Sequence, residues 1–212
     1  TQDEGGPYSP IKNVYYNAQQ AATSDNGGGW APGQASSNNY NVLRYADVIL
    51  WAAECEVEIG SLATAESNVN LVRARAANPS GWVHTYIDNN NPSKGFTNTP
   101  AANYKTGLYN GQFSAKGQAY AREAVRFERR LEFGMEGHRF FDLQRYDNGT
   151  GYMSDVLNAY IQHELNVPKF NPIIYVGATF KKGKTEIYPI PQIQIDLSNI
   201  GGKANLIQNP NY

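Results

Sequence analysis

Any chemistry this sequence performs must come from a short inventory: one cysteine, three histidines, a spaced series of glutamates and a set of aromatics in polar stretches. Cys55 lies between Glu54 and Glu56. Their charges oppose thiolate formation, so Cys55 reads as a buried packing residue rather than a nucleophile. A lone cysteine also excludes a disulfide framework and a Cys-rich zinc site. His84, His138 and His163 are far apart in sequence. His163-Glu164 opens like a zinc-protease helix, but position 167 is Val167 where the second His would stand. Asp25 and Asp88 stand alone as calcium ligands. Gly27-Gly28-Gly29-Trp30 lacks the Lys and Ser/Thr of a phosphate-binding loop, and no serine has a Gly-x-Ser-x-Gly context. No metal and no cofactor is expected.

Glu128, Glu132 and Glu136 share a helical spacing of four. Glycoside cleavage would need two acids whose pKa values are pushed apart. Arg126, Arg129, Arg130 and Arg139 are close in sequence, and guanidinium neighbours lower carboxylate pKa values, the wrong direction for a general acid. The cluster therefore reads as a salt-bridge lattice tying helices together.

The aromatics suggest recognition instead. A sugar presents apolar C–H faces and a rim of hydroxyls; aromatic rings stack on the first, and Asn or Asp side chains bond the second. Trp30 among glycines, and Trp82 and Tyr86 among asparagines, have that setting, so these three are the candidate ligand-binding residues. Trp82→Ala is expected to weaken binding without loss of fold. Trp51 falls inside a helical pattern and reads as core. Asn148-Gly149-Thr150 matches a glycosylation sequon but reads as a plain turn.

These residues need elements to hold them. The chain has 212 residues, a size that supports one full domain or part of a larger protein. Its 18 Lys and Arg against 19 Asp and Glu leave no cationic excess for binding nucleic acid or a membrane surface by bulk charge. No apolar run is long enough to span a membrane. Asparagine occurs 23 times, which favours turns and loops between elements.

Residues 1–39 read as a loop-rich lead-in. Residues 40–77 read as a helical hairpin. Its first helix, 40–59, is capped by Asn38 or Asn39, with Val42, Leu43, Ala46, Ile49, Leu50, Ala53 and Val57 on one face. Its second helix, 62–77, is stopped by Asn78-Pro79. A two-residue link forces antiparallel packing, and Ala52, Ala53, Ala63 and Ala65 allow close approach. This is the shape of a tetratricopeptide-like unit. Residues 78–113 read as a long loop with short strands near Tyr104–Tyr109. Residues 114–166 read as helices: one from a Ser114 cap to 133, one through Asp147, one over 152–166. Residues 167–212 read as a β-hairpin at 179–188 and a tail.

Four blocks, in order, resemble the SusD/RagB family. The first is Asn41-Val42-Leu43-Arg44-Tyr45-Ala46-Asp47-Val48-Ile49-Leu50 with Ala53-Glu54, followed by Val69-Asn70-Leu71-Val72-Arg73-Ala74-Arg75-Ala76. The second is Arg126-Phe127-Glu128-Arg129-Arg130-Leu131-Glu132-Phe133-Gly134-Met135-Glu136-Gly137-His138-Arg139-Phe140-Phe141-Asp142-Leu143. The third is Tyr188-Pro189-Ile190-Pro191 and the fourth Gln208-Asn209-Pro210-Asn211-Tyr212, where Asn211 replaces a frequent family Gly. Asn also tolerates the left-handed conformation.

The resemblance implies an all-α fold: a tetratricopeptide-like hairpin, a loop-rich, mostly helical C-terminal region of the SusD-like α/α superhelix, and a minor β-hairpin. Residues 1–212 would be the family's C-terminal domain, partnered by an N-terminal half of the same protein that carries a lipid anchor. It implies a non-enzymatic binding protein on the extracellular face of the outer membrane. Such a protein captures glycans and delivers them to a SusC-like TonB-dependent transporter. A RagB-like peptide binder and a non-binding helical scaffold are the alternatives, with a glycan hydrolase, told apart by release of reducing sugar, as a further class.

Overall fold

A computed structural model describes residues 12, 24–25, 35–36, 39–167 and 175–212. The chain divides into two compact units, one within residues 10–137 and one within 138–212.

The first unit is built on a helical hairpin. Helix α1 is Tyr45–Ile59 and α2 is Leu62–Ala77. α1 starts five residues later than the sequence pattern suggests, and the predicted asparagine caps play no part. Arg44 is extended, and its backbone N–H donates to Asp47 Oδ2 at 3.2 Å, so a buried carboxylate in the first turn fixes the start. Val42 and Leu43 therefore precede the helix and are exposed. α2 has the predicted limits: Ser61 Oγ accepts from the Thr64 N–H, and Asn78-Pro79 ends it.

Leu50, Ala53 and Val57 of α1 meet Ala65, Val69 and Val72 of α2 in one core. Ala53 and Ala65 provide the close approach, whereas Ala52 and Ala63 face outward.

The helix predicted over 114–133 is two helices, α3 (Gln112–Lys116) and α4 (Gln118–Glu132). Gly117 separates them at φ +83°, ψ 178°, a conformation open almost only to glycine. The Glu66 carboxylate, from α2, accepts from the N–H groups of Gly111 (2.6 Å) and Phe113 (2.8 Å), which anchors the start of α3. Phe113, Ala121, Ala124, Val125 and Phe133 complete the core.

Among the described residues there are three two-stranded antiparallel ladders. β1 (Ser24–Asp25) pairs with β2 (Ala35–Ser36) inside the stretch predicted as loop. β3 (His84–Tyr86) pairs with β4 (Phe96–Pro100), with Tyr86 opposite Phe96 and His84 opposite Pro100 around a bulge. The strands predicted near 104–109 are not formed. That segment is held by side chains: Arg73 Nε donates to the Gly107 carbonyl (2.6 Å), and the Asn70 amide pairs with both backbone groups of Tyr109 (3.0 and 2.9 Å).

In the second unit, α5 (His138–Asp147) and α6 (Tyr152–Leu165) are joined by a tight turn with Asn148, Gly149 and Gly151 at positive φ. The buried Asp147 carboxylate accepts from the N–H groups of Gly149 (3.1 Å) and Met153 (2.8 Å). The sequon is thus part of a helix-linking turn. No ladder forms at 179–188. Asn158 takes both the N–H (2.8 Å) and the C=O (2.9 Å) of Phe180, the groups a partner strand would need, and Thr185 folds back on Lys181. The unit's ladder lies later, β5 (Asn199–Ile200) with β6 (Lys203–Ala204), after the short helix α7 (Gln192–Leu197).

The two closing blocks meet. The Gln208 amide pairs with both backbone groups of Ile190 (2.8 Å each), and Tyr212 Oη donates to the Ile187 carbonyl (2.9 Å). Asn211 adopts φ +69°, as its place in the motif requires. No helix among the described residues is long and apolar enough to cross a membrane.

Candidate functional site

The glutamate series forms a lattice, but not with the arginines nearest in sequence. Glu128 and Glu132 project from α4; Glu136 lies beyond its end, past Met135 at φ +66°. Their partners come from α1, α2 and the segment before them. Arg73 meets Glu128 at 2.6 Å, Arg44 and Arg75 meet Glu132 at 2.5 Å, and Arg44 and Lys12 meet Glu136 at 2.8 and 2.5 Å. Arg129, buried between the helices, reaches Asp47 (3.4 Å) and Glu54 (3.5 Å) of α1.

Burial opposes the charge on Glu136, but hydrogen bonds and charge from Arg44 and Lys12 outweigh it and hold its carboxyl below the ordinary range. Glu128 goes the other way from the sequence expectation: burial pushes it up despite Arg73. A polar cleft of about 380 Å³ runs over this lattice, lined by Lys12, Asn41, Arg44, Arg75, Leu131, Glu132 and Glu136. Its two carboxylates, Glu132 and Glu136, are each bonded to cations, so the cleft lies over ion pairs that tie the helices together. Among the described residues no three His, Cys, Asp or Glu side chains are grouped as metal ligands would be.

The loop aromatics lie on the β3–β4 hairpin. Strand alternation places His84 and Tyr86 toward one side and Thr85 toward the other, where Thr85 Oγ1 bonds Thr97 Oγ1 at 2.6 Å. Tyr86 stacks on Phe96 across the ladder at 5.0 Å between centroids and 25° between planes. Both rings remain 42% exposed. The Tyr86 hydroxyl makes no hydrogen bond among the described residues. Trp82 stacks on Tyr104, also at 5.0 Å and 25°. Its indole N–H donates to the Ala76 carbonyl at the end of α2 (3.1 Å), so its polar end is used to seat the hairpin on the helix. Trp82 is half-buried and Tyr86 is open. Along an extended strand their Cα atoms are about 13 Å apart. Trp30 lies outside the described residues.

Two aromatic or sulfur side chains differ from expectation. Trp51 is not core: it sits at the margin of the buried stripe of α1, 38% exposed, with the Arg129 guanidinium 5.6 Å from its ring centre. Cys55 is exposed on the outer side of α1, because the buried positions are Leu50, Ala53 and Val57.

Phe96, the ring that stacks on Tyr86, does not stand out in the sequence. The available signal was a turn-rich Asn91-Pro92-Ser93-Lys94-Gly95 run before an alternating Phe-Thr-Asn-Thr segment.

The model of the SusD family matches residues 8–212 of the chain, all four blocks included. No curated protein and no solved structure matches it.

Proposed function

This chain belongs to the SusD family, and we propose on that premise that it captures glycans at the cell surface and delivers them to a SusC-like TonB-dependent transporter. The family is one of nutrient-binding, outer-membrane-associated proteins, and capture rather than catalysis is its role. The observation that carries the reading is the Tyr86–Phe96 stack, an open pair of rings on a hairpin that a second stack, Trp82–Tyr104, fastens to α2. Rings of this kind bind sugar C–H faces, and the asparagine-rich loop between β3 and β4 offers amides to hydroxyls.

An N-terminal half of the same protein completes the assembly in this proposal and carries the lipid anchor on the extracellular face. The outward face of α1 supports a packing partner: Tyr45, Val48, Ala52, Cys55 and Ile59 recur at helical spacing and are exposed, Tyr45 by 76% and Ile59 by 91%.

The test is a tryptophan-fluorescence titration of the full-length protein with a panel of oligosaccharides. A saturable change that Trp82→Phe diminishes is the expected result. A response only to peptides would favour the RagB-like alternative, and silence to both would favour a scaffold.

A further inference from the structure

We infer that the ligand of the β3–β4 hairpin is an uncharged oligosaccharide rather than an acidic or sulfated one. The inference rests on the hairpin being the capture surface. Between residues 78 and 113 the sequence holds three formal charges, Asp88, Lys94 and Lys105. Asp88 and Lys94 neutralise each other inside the β3–β4 loop, with Lys94 Nζ 2.9 Å from Asp88 Oδ2. Asp88 is further tied by the Asn90 N–H at 2.9 Å. The Lys94 hydrogen bond, with the backbone N–H groups, holds the Asp88 carboxyl below its ordinary range, so the pair stays ionised and internally matched at neutral pH.

No arginine lies on this stretch, and bidentate guanidinium recognition is how proteins usually hold carboxylate and sulfate groups. The arginines of α2, Arg73 and Arg75, are engaged by Glu128 and Glu132. A uronate or sulfate ester brought to the Tyr86 ring would be desolvated beside a loop whose own cation, Lys94, is already matched by Asp88. What the surface offers instead is neutral: the open Tyr86 ring and hydroxyl, and the exposed amides of Asn89 and Asn90 in the loop beside it. This combination matches a chain of pyranose rings with free hydroxyls.

Calorimetry on the full-length protein tests it with matched pairs: neutral oligosaccharides and the same backbones bearing glucuronate or sulfate. We expect saturable binding of a neutral member, little changed by salt. Its charged counterpart should bind at least about tenfold more weakly, as should Tyr86→Ala with the neutral ligand, while Tyr86→Phe stays within about threefold. Unchanged helical circular dichroism would show that the variants fold.

Tight, salt-sensitive binding of a charged glycan that Tyr86→Ala abolishes would overturn the neutral class and leave the capture surface standing. Neutral-glycan binding indifferent to Tyr86→Ala would overturn the hairpin as its site. Binding of peptides alone, or of nothing, would overturn both.

Discussion

Single amide side chains bear much of the work of holding long loops in place. Asn70, Asn158 and Gln208 each present a C=O and an NH₂ to the N–H and C=O of one distant residue: Tyr109, Phe180 and Ile190. A carboxamide reproduces the donor–acceptor pair of a peptide group, so each acts as a one-residue strand partner. Asn70→Ala leaves both Tyr109 groups without their partner and should cost about 1–3 kcal/mol, read from the denaturant midpoint. Asn70→Asp should cost no less, because an oxygen would replace the donor that faces the Tyr109 carbonyl.

Glu136 and Glu128 make opposite predictions for acid stability. The folded pKa of Glu136 lies below its ordinary 4.5, so its stabilisation is present above that value and is lost as pH falls through the lower folded value. The folded pKa of Glu128 is raised, so folded protein takes up that proton first and gains relative stability as pH falls toward the ordinary value. In urea denaturation at a series of pH values, Glu136→Gln should flatten the acid decline and Glu128→Gln should steepen it. Identical slopes for the two variants would contradict these assignments.

At the scale of elements, Gly117 is the hinge between α3 and α4. A Cβ there meets open space, so Gly117→Ala tests backbone strain alone and should cost about 1–3 kcal/mol in thermal or chemical unfolding. An unchanged midpoint would mean that the break relaxes without penalty. α2 was readable from sequence because both of its ends are local: Ser61 before it and Asn78-Pro79 after it. The start of α1 was not, because the apolar spacing runs on upstream through Val42 and Leu43 while the cap is set by the Asp47 carboxylate on the Arg44 backbone N–H.

The hairpin predicted at 179–188 failed for a non-local reason: Asn158, far back in α6, takes the ladder groups of Phe180. The β3–β4 hairpin was missed because its strands are short, polar and bulged, so they carry little period-two signal. Of the candidate site, Tyr86 was readable as a loop aromatic. Its pairing with Phe96 was not, since that depends on register. The lattice was readable as a lattice, but its partners were not, because Arg44, Arg73 and Arg75 reach it only once α1 and α2 pack beside α4.

At the scale of the molecule, membership of the SusD family and the outward apolar face of α1 point the same way. Val48→Asp should leave the isolated chain's unfolding midpoint nearly unchanged, since Val48 is exposed. In a protein carrying the proposed N-terminal half, the same change should lower stability by about 1–3 kcal/mol where that half covers the face. Equal effects in both would mean that the face stays in water.

Capture of ligand by residues 84–100, as proposed, is tested most directly by amide hydrogen exchange on the full-length protein with and without saturating neutral oligosaccharide. Slowed exchange concentrated in β3, β4 and the loop between them is the predicted result. Protection elsewhere, with β3 and β4 exchanging as in the free protein, would contradict it.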